Sequence, residues 1–161
     1  MSEARHRVNY SLLTVKDMRI LGLDYGEKRI GLSLSDEMGI TAQGIPTLTR
    51  RGLEKDLEAL EKIIREFDVE KIVIGYPFRL DGTEGIQCGK VSRFAGVLEE
   101  RFALPVIKWD ETLTTSRAEE ILTEVKVSRK KRKAVVDKLA AMIILQDYLN
   151  RRKKEKAGDE A

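Results

Sequence analysis

The sequence predicts an α/β fold built on a mixed five-stranded sheet with helices on both faces. Three short strand-like segments follow one another before residue 50 with only brief connections, which is typical of an antiparallel meander. After residue 50, helical periodicity alternates with short apolar runs, and strands separated by helices run parallel through right-handed crossovers. The predicted order is therefore β-β-β-α-β-α-β-α-α, with three antiparallel strands followed by parallel ones.

The first three strands differ in how their apolar residues are spaced. Residues 19–24 form a short apolar run that indicates a buried strand. Residues 29–36 alternate Ile or Leu with Gly or Ser, which is the period-two pattern of a half-buried strand. Residues 40–48 form the third strand, and Pro46 confines its end to an edge because proline cannot donate a ladder hydrogen bond.

The later elements follow from a change of hydrophobic period to that of an amphipathic helix. They are a helix at 53–67, a strand at 71–77, a helix at 86–101, a strand at 105–111, a helix at 115–125 and an apolar helix at 134–150. No repeat or linker divides the chain, so residues 18–150 are expected to form one domain. Residues 1–17 are expected to be a mobile N-terminal extension and residues 151–161 a charged, frayed C-terminal tail.

The composition excludes several kinds of site. The 161 residues include 30 basic and 27 acidic ones, so the distribution of charge matters more than the net charge of +3. Cys88 and His6 are the single residues of their types, which excludes an intramolecular disulfide and argues against a histidine base or a cysteine-ligated cluster. If a metal binds, it should be one that carboxylates prefer, such as Mg²⁺ or Mn²⁺.

The sequence also lacks the patterns of membrane insertion. No apolar run reaches the roughly 18–20 residues of a transmembrane helix, and residues 1–17 lack the apolar core of a signal peptide. We therefore expect a cytoplasmic protein without a membrane partner.

Acidic residues end two predicted strands, and another lies inside the last helix. Asp24 ends the first strand, Asp110 and Glu111 end the fifth, and Asp137 lies on an apolar face of the helix at 134–150. Ligands of open α/β sheets bind beyond the carboxyl ends of the parallel strands, which is where these residues should meet. Because clustered carboxylates repel one another unless a cation binds, the pattern predicts a metal site at this edge.

Each of these residues also has a structural alternative. Asp24 is typical of a hairpin turn, where aspartate and glycine are common for local reasons. Asp110 or Glu111 can cap the following helix. Asp137 can pair with a neighbouring lysine or complement the helix dipole. Their convergence at one end of a mixed sheet favours the metal site over three separate local roles.

Two further segments are candidates for contact with a phosphate backbone. The loop within residues 74–85 is rich in glycine and offers exposed backbone amides, although an ordinary loop has the same composition. The basic segment 126–133 includes Lys130, Lys131 and Arg132, and such a run is either a solvated connection or a nucleic-acid contact. Its position directly before the helix that bears Asp137 favours the nucleic-acid contact.

Four blocks of the sequence, taken in order, resemble the YqgF/RuvX family of bacterial proteins, whose members are named as Holliday junction resolvases or as ribosomal RNA precursor nucleases. The blocks are GLDYGEKRIGLSLSD, GYPFRLDGTEG, DETLTTSRAEEIL and DKLAAMIILQDYL. The resemblance covers residues 18–150 and implies a ribonuclease H-like fold, in agreement with the predicted element order.

The resemblance also implies a set of site residues. The acidic positions of the family correspond to Asp24, the Asp110-Glu111 pair and Asp137, and within the pair we favour Asp110 as catalytic residue and metal ligand, with Glu111 as the second candidate. Lys28 and Arg29, in the KRIG segment, are expected to contact phosphate or to brace the hairpin.

Two positions depart from the family pattern. Thr112 stands where the family usually has arginine, and Arg79 stands where it usually has asparagine. Both changes leave the acidic positions intact. They bear on how phosphate is contacted, and we include Arg79 among the expected nucleic-acid-binding residues.

These observations predict a metal-dependent phosphodiesterase acting on structured nucleic acid, as a monomer or homodimer. The resemblance implies processing of the 5′ end of pre-16S ribosomal RNA as the favoured task, with resolution of branched DNA as the alternative. A non-catalytic nucleic-acid-binding module is a further alternative, as is an actin-like ATPase, because such proteins also place an aspartate and a glycine between two strands. The last alternative is disfavoured because those proteins close two such domains around a nucleotide, and this chain has room for one.

Overall fold

The computed structural model describes residues 19–77, 85–111, 118, 121 and 129–160. The elements are β1 (Arg19–Tyr25), β2 (Arg29–Ser35), β3 (Ala42–Thr49), α1 (Leu53–Glu66), β4 (Val69–Tyr76), α2 (Ile86–Phe102), β5 (Val106–Asp110) and α3 (Arg129–Glu160). The predicted extension at 1–17 lies outside the described residues. So does most of the predicted helix at 115–125, of which Ala118 and Ile121 are described and helical.

The five strands form one mixed sheet in the order β3-β2-β1-β4-β5. β1 pairs antiparallel with β2, and β2 pairs antiparallel with β3, as the short turns between these strands require. β1 pairs in parallel with β4, and β4 pairs in parallel with β5. A helix connects β4 to β5, as neighbouring parallel strands require. The predicted meander followed by parallel strands is confirmed.

Helices cover both faces of the sheet, as predicted. Successive side chains of a strand point to opposite faces, so each strand contributes to two separate cores. On one face, α1 and α2 pack against a buried cluster that includes Leu21, Leu23, Leu32, Ile72, Ile74, Leu60, Phe94 and Leu98. On the other face, α3 packs against Ile20 and Val73 through Ile144, Leu145, Tyr148 and Leu149.

α3 lies unusually close to the sheet because its contact face on the strands is made of small residues. A side chain added at Gly31 would collide with the carbonyl oxygen of Asp137, and a Cβ at Gly22 would lie 2.9 Å from the Cβ of Leu145. Ser33, which is fully buried, donates from Oγ to the carbonyl oxygen of Ala141 at 2.7 Å. The glycines and serines that alternate with leucine along β2 are therefore the docking surface for this helix.

α3 extends beyond the predicted bounds of 134–150 at both ends. It begins at Arg129 and continues through Glu160, so the basic segment from residue 129 and the charged segment from residue 151 to 160 are helical. Lysine, arginine and glutamate are good helix formers, and these segments contain no proline. None of the described helices is long and apolar enough to cross a membrane.

Candidate active site

Three carboxylates lie on the α3 face of the sheet at the carboxyl ends of β1 and β5. Asp24 is directly opposite Gly31 in the register of β1 and β2, so its side chain points to the face on which α3 packs. Glu111 follows β5, and its carboxyl carbon lies 2.8 Å from the position that a Cβ would take at Gly75. Asp137 reaches the same edge from α3, where its backbone contacts Gly31.

Asp24 and Glu111 form a direct carboxyl–carboxylate hydrogen bond. Burial, and secondarily the charge of Asp137, raise the pKa of Asp24 from 3.8 to about 7. Burial, followed by the charges of Asp24 and Asp110, raises the pKa of Glu111 from 4.5 to about 8. Both pKa values are therefore raised, and the hydrogen bond between the two groups favours the state in which one of them is protonated.

The third carboxylate, Asp137, is bound by a cation from the start of β2. The Arg29 Nε donates to the Asp137 Oδ2 at 2.7 Å, and both side chains are partly buried, with 30% and 23% of their surfaces exposed. Such a charge-assisted bond fixes the orientation of the carboxylate more firmly than a surface ion pair does. Together with the close approach at Gly31, it holds Asp137 beside Asp24.

Asp110, which was favoured as a ligand, lies on the other side of the strand from Glu111. It pairs in register with Tyr76, whose ring is buried on the α1–α2 face, and its own side chain is exposed at the edge of the sheet. Its charge still contributes to the raised pKa of Glu111. The structure thus brings Asp24, Glu111 and Asp137 together, and it places Asp110 outside that group.

The alternation in the sequence of β5 contains a signal for this difference. Ile107 and Trp109 are partly buried against α3, whereas Lys108 and Asp110 are exposed. Glu111 continues the series of Ile107 and Trp109 and therefore falls on the α3 face. Trp109 packs edge-on against Tyr148 of α3, with ring centroids 5.4 Å apart, which identifies that face independently.

The predicted nucleic-acid-binding residues are only partly described. Lys28 is exposed in the turn between β1 and β2, and Lys131 and Arg132 lie in the first turns of α3. Arg29 donates a hydrogen bond to Asp137 and so stabilises the orientation of that carboxylate. Arg79 lies outside the described residues, as do the side chain of Lys130 and most of the glycine-rich loop.

No group of three or more Asp, Glu, His or Cys side chains among the described residues is arranged to enclose a metal ion. The arrangement is instead a hydrogen-bonded carboxyl pair with a third carboxylate held beside it by Arg29. Carboxylate oxygens are nevertheless the ligands that Mg²⁺ and Mn²⁺ prefer. A divalent cation can replace the shared proton of such a pair, so the donor set fits an ion of this kind once Glu111 is ionised.

Comparison with known proteins places the chain in a family. The sequence pattern of the RuvX family, described as a Holliday junction resolvase family, matches residues 18–151. The chain belongs to the RuvX family. A RuvX-family relative named "Putative pre-16S rRNA nuclease" from Syntrophus aciditrophicus is 58% identical over 144 residues, covering 89% of this chain and 96% of that protein. A protein of the same name from Syntrophomonas wolfei is 51% identical over 133 residues, covering 83% and 94%.

Two solved structures share the fold of this RuvX-family chain. Thermus thermophilus RuvC in complex with a Holliday junction substrate has a TM-score of 0.53 at 15% identity, over 85% of this chain and 96% of that one. The fowlpox virus resolvase in complex with Holliday junction DNA has a TM-score of 0.53 at 12% identity, over 83% and 98%. These likenesses confirm the predicted ribonuclease H-like fold.

Proposed function

We propose that this protein is a divalent-metal-dependent nuclease that processes the 5′ end of pre-16S ribosomal RNA. The observation that carries the proposal is the convergence of Asp24, Glu111 and Asp137 at the carboxyl ends of β1 and β5. Family membership and the names of two relatives that match most of the chain support the same activity. A cytoplasmic location accords with that substrate.

Asp24 and Glu111 are the residues that would hold the ion, Mg²⁺ or Mn²⁺, with Asp137 as the third carboxylate. An ion bound there supplies Lewis-acid activation of water and stabilisation of charge on the phosphate. The protein's own contribution is to present the donors. Gly75 leaves room for the Glu111 carboxyl group above β4, and Arg29 keeps the Asp137 carboxylate oriented from the side.

Assigning Glu111 in place of Asp110 follows from the hydrogen bond between Glu111 and Asp24. A ligand set must converge on one point, and Asp110 projects from the opposite side of β5. Asp110 then acts on Glu111 through its charge. Because it is exposed, solvent screens that effect strongly.

The substrate backbone would be bound by cations around the site. Lys28 is exposed one residue before Arg29, and Lys131 and Arg132 begin the helix that carries Asp137. Phosphate contacts of this kind position a nucleic acid without reading its sequence. Arg79 and Lys130 remain predicted contacts of the same type.

Cleavage of a defined pre-16S RNA fragment tests the proposal, with Mg²⁺, Mn²⁺ or a chelator present. Asp24→Asn and Glu111→Gln should each lower the rate by roughly 100-fold or more, the scale on which single electrostatic groups of an active site act. Asp110→Asn is the matched control and should retain most of the activity. Full cleavage by Asp24→Asn would exclude the site, and loss in Asp110→Asn but not in Glu111→Gln would return the ligand role to Asp110.

Resolution of four-way DNA junctions is the second candidate, favoured by the description of the matching family. Resolution requires two matched cuts and therefore two active sites, so a resolvase must be a dimer. Paired assays on junction DNA and precursor RNA, with sedimentation at the assay concentration, separate the two. A monomer that cleaves the RNA and leaves the junction intact supports the RNA nuclease. Salt-sensitive binding without metal-dependent turnover on either substrate would instead identify a binding module.

A further inference from the structure

A cavity lies at the same end of the sheet as Asp24 but on the opposite face. It has a volume of about 360 Å³ and lies between the end of β1, the start of α1 and the first half of α2. Its lining consists of Tyr25, Arg50, Leu53, Lys90, Arg93, Phe94 and Val97. Tyr25 follows Asp24 directly in the chain, and the two side chains leave β1 on opposite faces.

One wall of this cavity is rigid. The rings of Tyr25 and Phe94 stack with their centroids 4.2 Å apart, and the guanidinium carbon of Arg50 lies 4.7 Å from the Tyr25 centroid. Arg50 is held in turn by the buried carboxylate of Asp56, at 3.0 Å, and by the carbonyl oxygen of Gly26, at 3.2 Å. Because Phe94 and Arg50 both pack against the Tyr25 ring, this ring has no open face on which a base could stack. The wall therefore presents the charge of Arg50 and the apolar edges of the two rings to the cavity.

The charged residues that line the cavity itself are all cationic. Arg50, Lys90 and Arg93 line it, and no acidic residue does. Lys90 pairs at the rim with Glu27 at 2.9 Å, but the Glu27 side chain is 73% exposed, so this bond contributes little and is easily exchanged. Arg93 is exposed and forms no ion pair within the part of the chain that the structure describes. Arg93 is therefore available to bind an anion, and Lys90 becomes available when its bond to Glu27 is broken.

We infer that this cavity is a phosphate-binding subsite for the single-stranded flank of the substrate, next to the bond that is cleaved. The inference rests on the proposed nuclease function and names the path of its substrate. Tyr25 follows Asp24 in β1, so a nucleic-acid strand that passes over this end of β1 would reach the carboxylates on one face of the sheet and the cavity on the other. Arg93 offers a planar two-point contact for a phosphate and Lys90 a point charge. Leu53, which is 47% exposed, and Val97 offer apolar surface to the sugar.

Equilibrium binding tests this subsite without requiring cleavage. Asp24→Asn protein is titrated with a fluorescently labelled precursor RNA that carries a single-stranded flank, and anisotropy is recorded at several salt concentrations. The salt slope is the slope of the logarithm of the affinity against the logarithm of the salt concentration. Adding Arg93→Gln should lower the magnitude of this slope by about 0.7, which corresponds to a roughly fourfold loss of affinity near 0.15 M salt. Adding Lys62→Gln, which removes a charge that is also exposed but lies on α1 outside the cavity, should change neither quantity.

The binding results decide the subsite proposal independently of whether the protein cleaves RNA. Equal effects of Arg93→Gln and Lys62→Gln, or no effect of either, overturn the subsite even if the wild-type protein cleaves RNA. A selective effect of Arg93→Gln in a protein that never cleaves supports the subsite while contradicting the nuclease. Arg93→Lys should retain the salt slope if charge is what the RNA contacts. Unchanged thermal unfolding of both Arg93 variants shows that the fold is intact.

Discussion

The shared proton of Asp24 and Glu111 predicts that the metal-free protein loses stability as pH rises. Both carboxyl groups have a pKa in the folded protein above their ordinary value, so the folded state binds more protons than the unfolded state between about pH 3.8 and about pH 8. The stabilising contribution is complete below this range and is lost as pH rises through it. A tenfold change in proton affinity is worth about 1.4 kcal/mol, so ionising either one of the two groups costs on the order of 4 kcal/mol. That is a large fraction of the roughly 5–15 kcal/mol that stabilises a typical domain.

Glu111→Gln is the perturbation that isolates this effect. The amide keeps a donor for Asp24 but removes one charge, so the variant should be more stable than the wild type at pH 9 by about 3–5 kcal/mol and similar to it at pH 5. Urea unfolding at pH 5, 7 and 9 with a chelator present measures the difference. Mg²⁺ at pH 9 should restore stability to the wild type and much less to the variant, because ligands that bind the folded state stabilise it.

Asp110→Asn is the control for the same measurements. The wild type is expected to lose free energy of unfolding between pH 5 and pH 9. Because Asp110 is exposed, removing its charge should reduce this loss by less than about 1 kcal/mol. A wild-type stability that stays level from pH 5 to pH 9 would refute the shared proton. Equal relief by Asp110→Asn and Glu111→Gln would refute the assignment of Glu111 to the site.

Two other substitutions test how the fold positions the site. Gly31→Ala should destabilise the protein by about 3 kcal/mol or more, because the added methyl group collides with the backbone of Asp137, and it should abolish cleavage. Gly96→Ala, where an added Cβ meets nothing within 4 Å on α2, should instead stabilise it by about 0.5–1 kcal/mol, as thermal unfolding of both variants will show. Asp56→Ala should cost about 3–5 kcal/mol in urea unfolding, because it leaves Arg50 without its partner, and a cost below about 1 kcal/mol would contradict a structural role for this pair.

Most of the sheet was predictable from local sequence patterns. The alternation of residues 29–36 predicts both β2 and its two faces, and the structure places Ile30, Leu32 and Leu34 in one core while Gly31 and Ser33 face α3. Parallel pairing of β4 with β5 follows from the helix between them and the handedness of crossovers. The full length of α3 did not follow, because its ends carry charged residues without an apolar period.

The candidate site was predictable in part. Asp24 and Asp137 stood out in the sequence because a carboxylate at a buried strand end and one on an apolar helix face both need a partner. The choice between Asp110 and Glu111 depends on which face of β5 each side chain takes, and a shift of one residue reverses it. The family resemblance located the Asp110-Glu111 pair but did not show which of the two side chains points to the α3 face.

The sequence by itself determined the order of strands and helices, their buried faces and the end of the sheet at which acidic residues gather, because these depend on periodicities within short segments. Only the tertiary structure decided which charged groups meet. The Arg29–Asp137 bond joins residues 108 positions apart, and the Asp24–Glu111 bond joins the ends of two strands that are not adjacent in the sheet. Such contacts depend on how closely α3 packs on the glycines of β1 and β2 and on the register of β5 beside β4, and neither is visible within one short segment of the sequence.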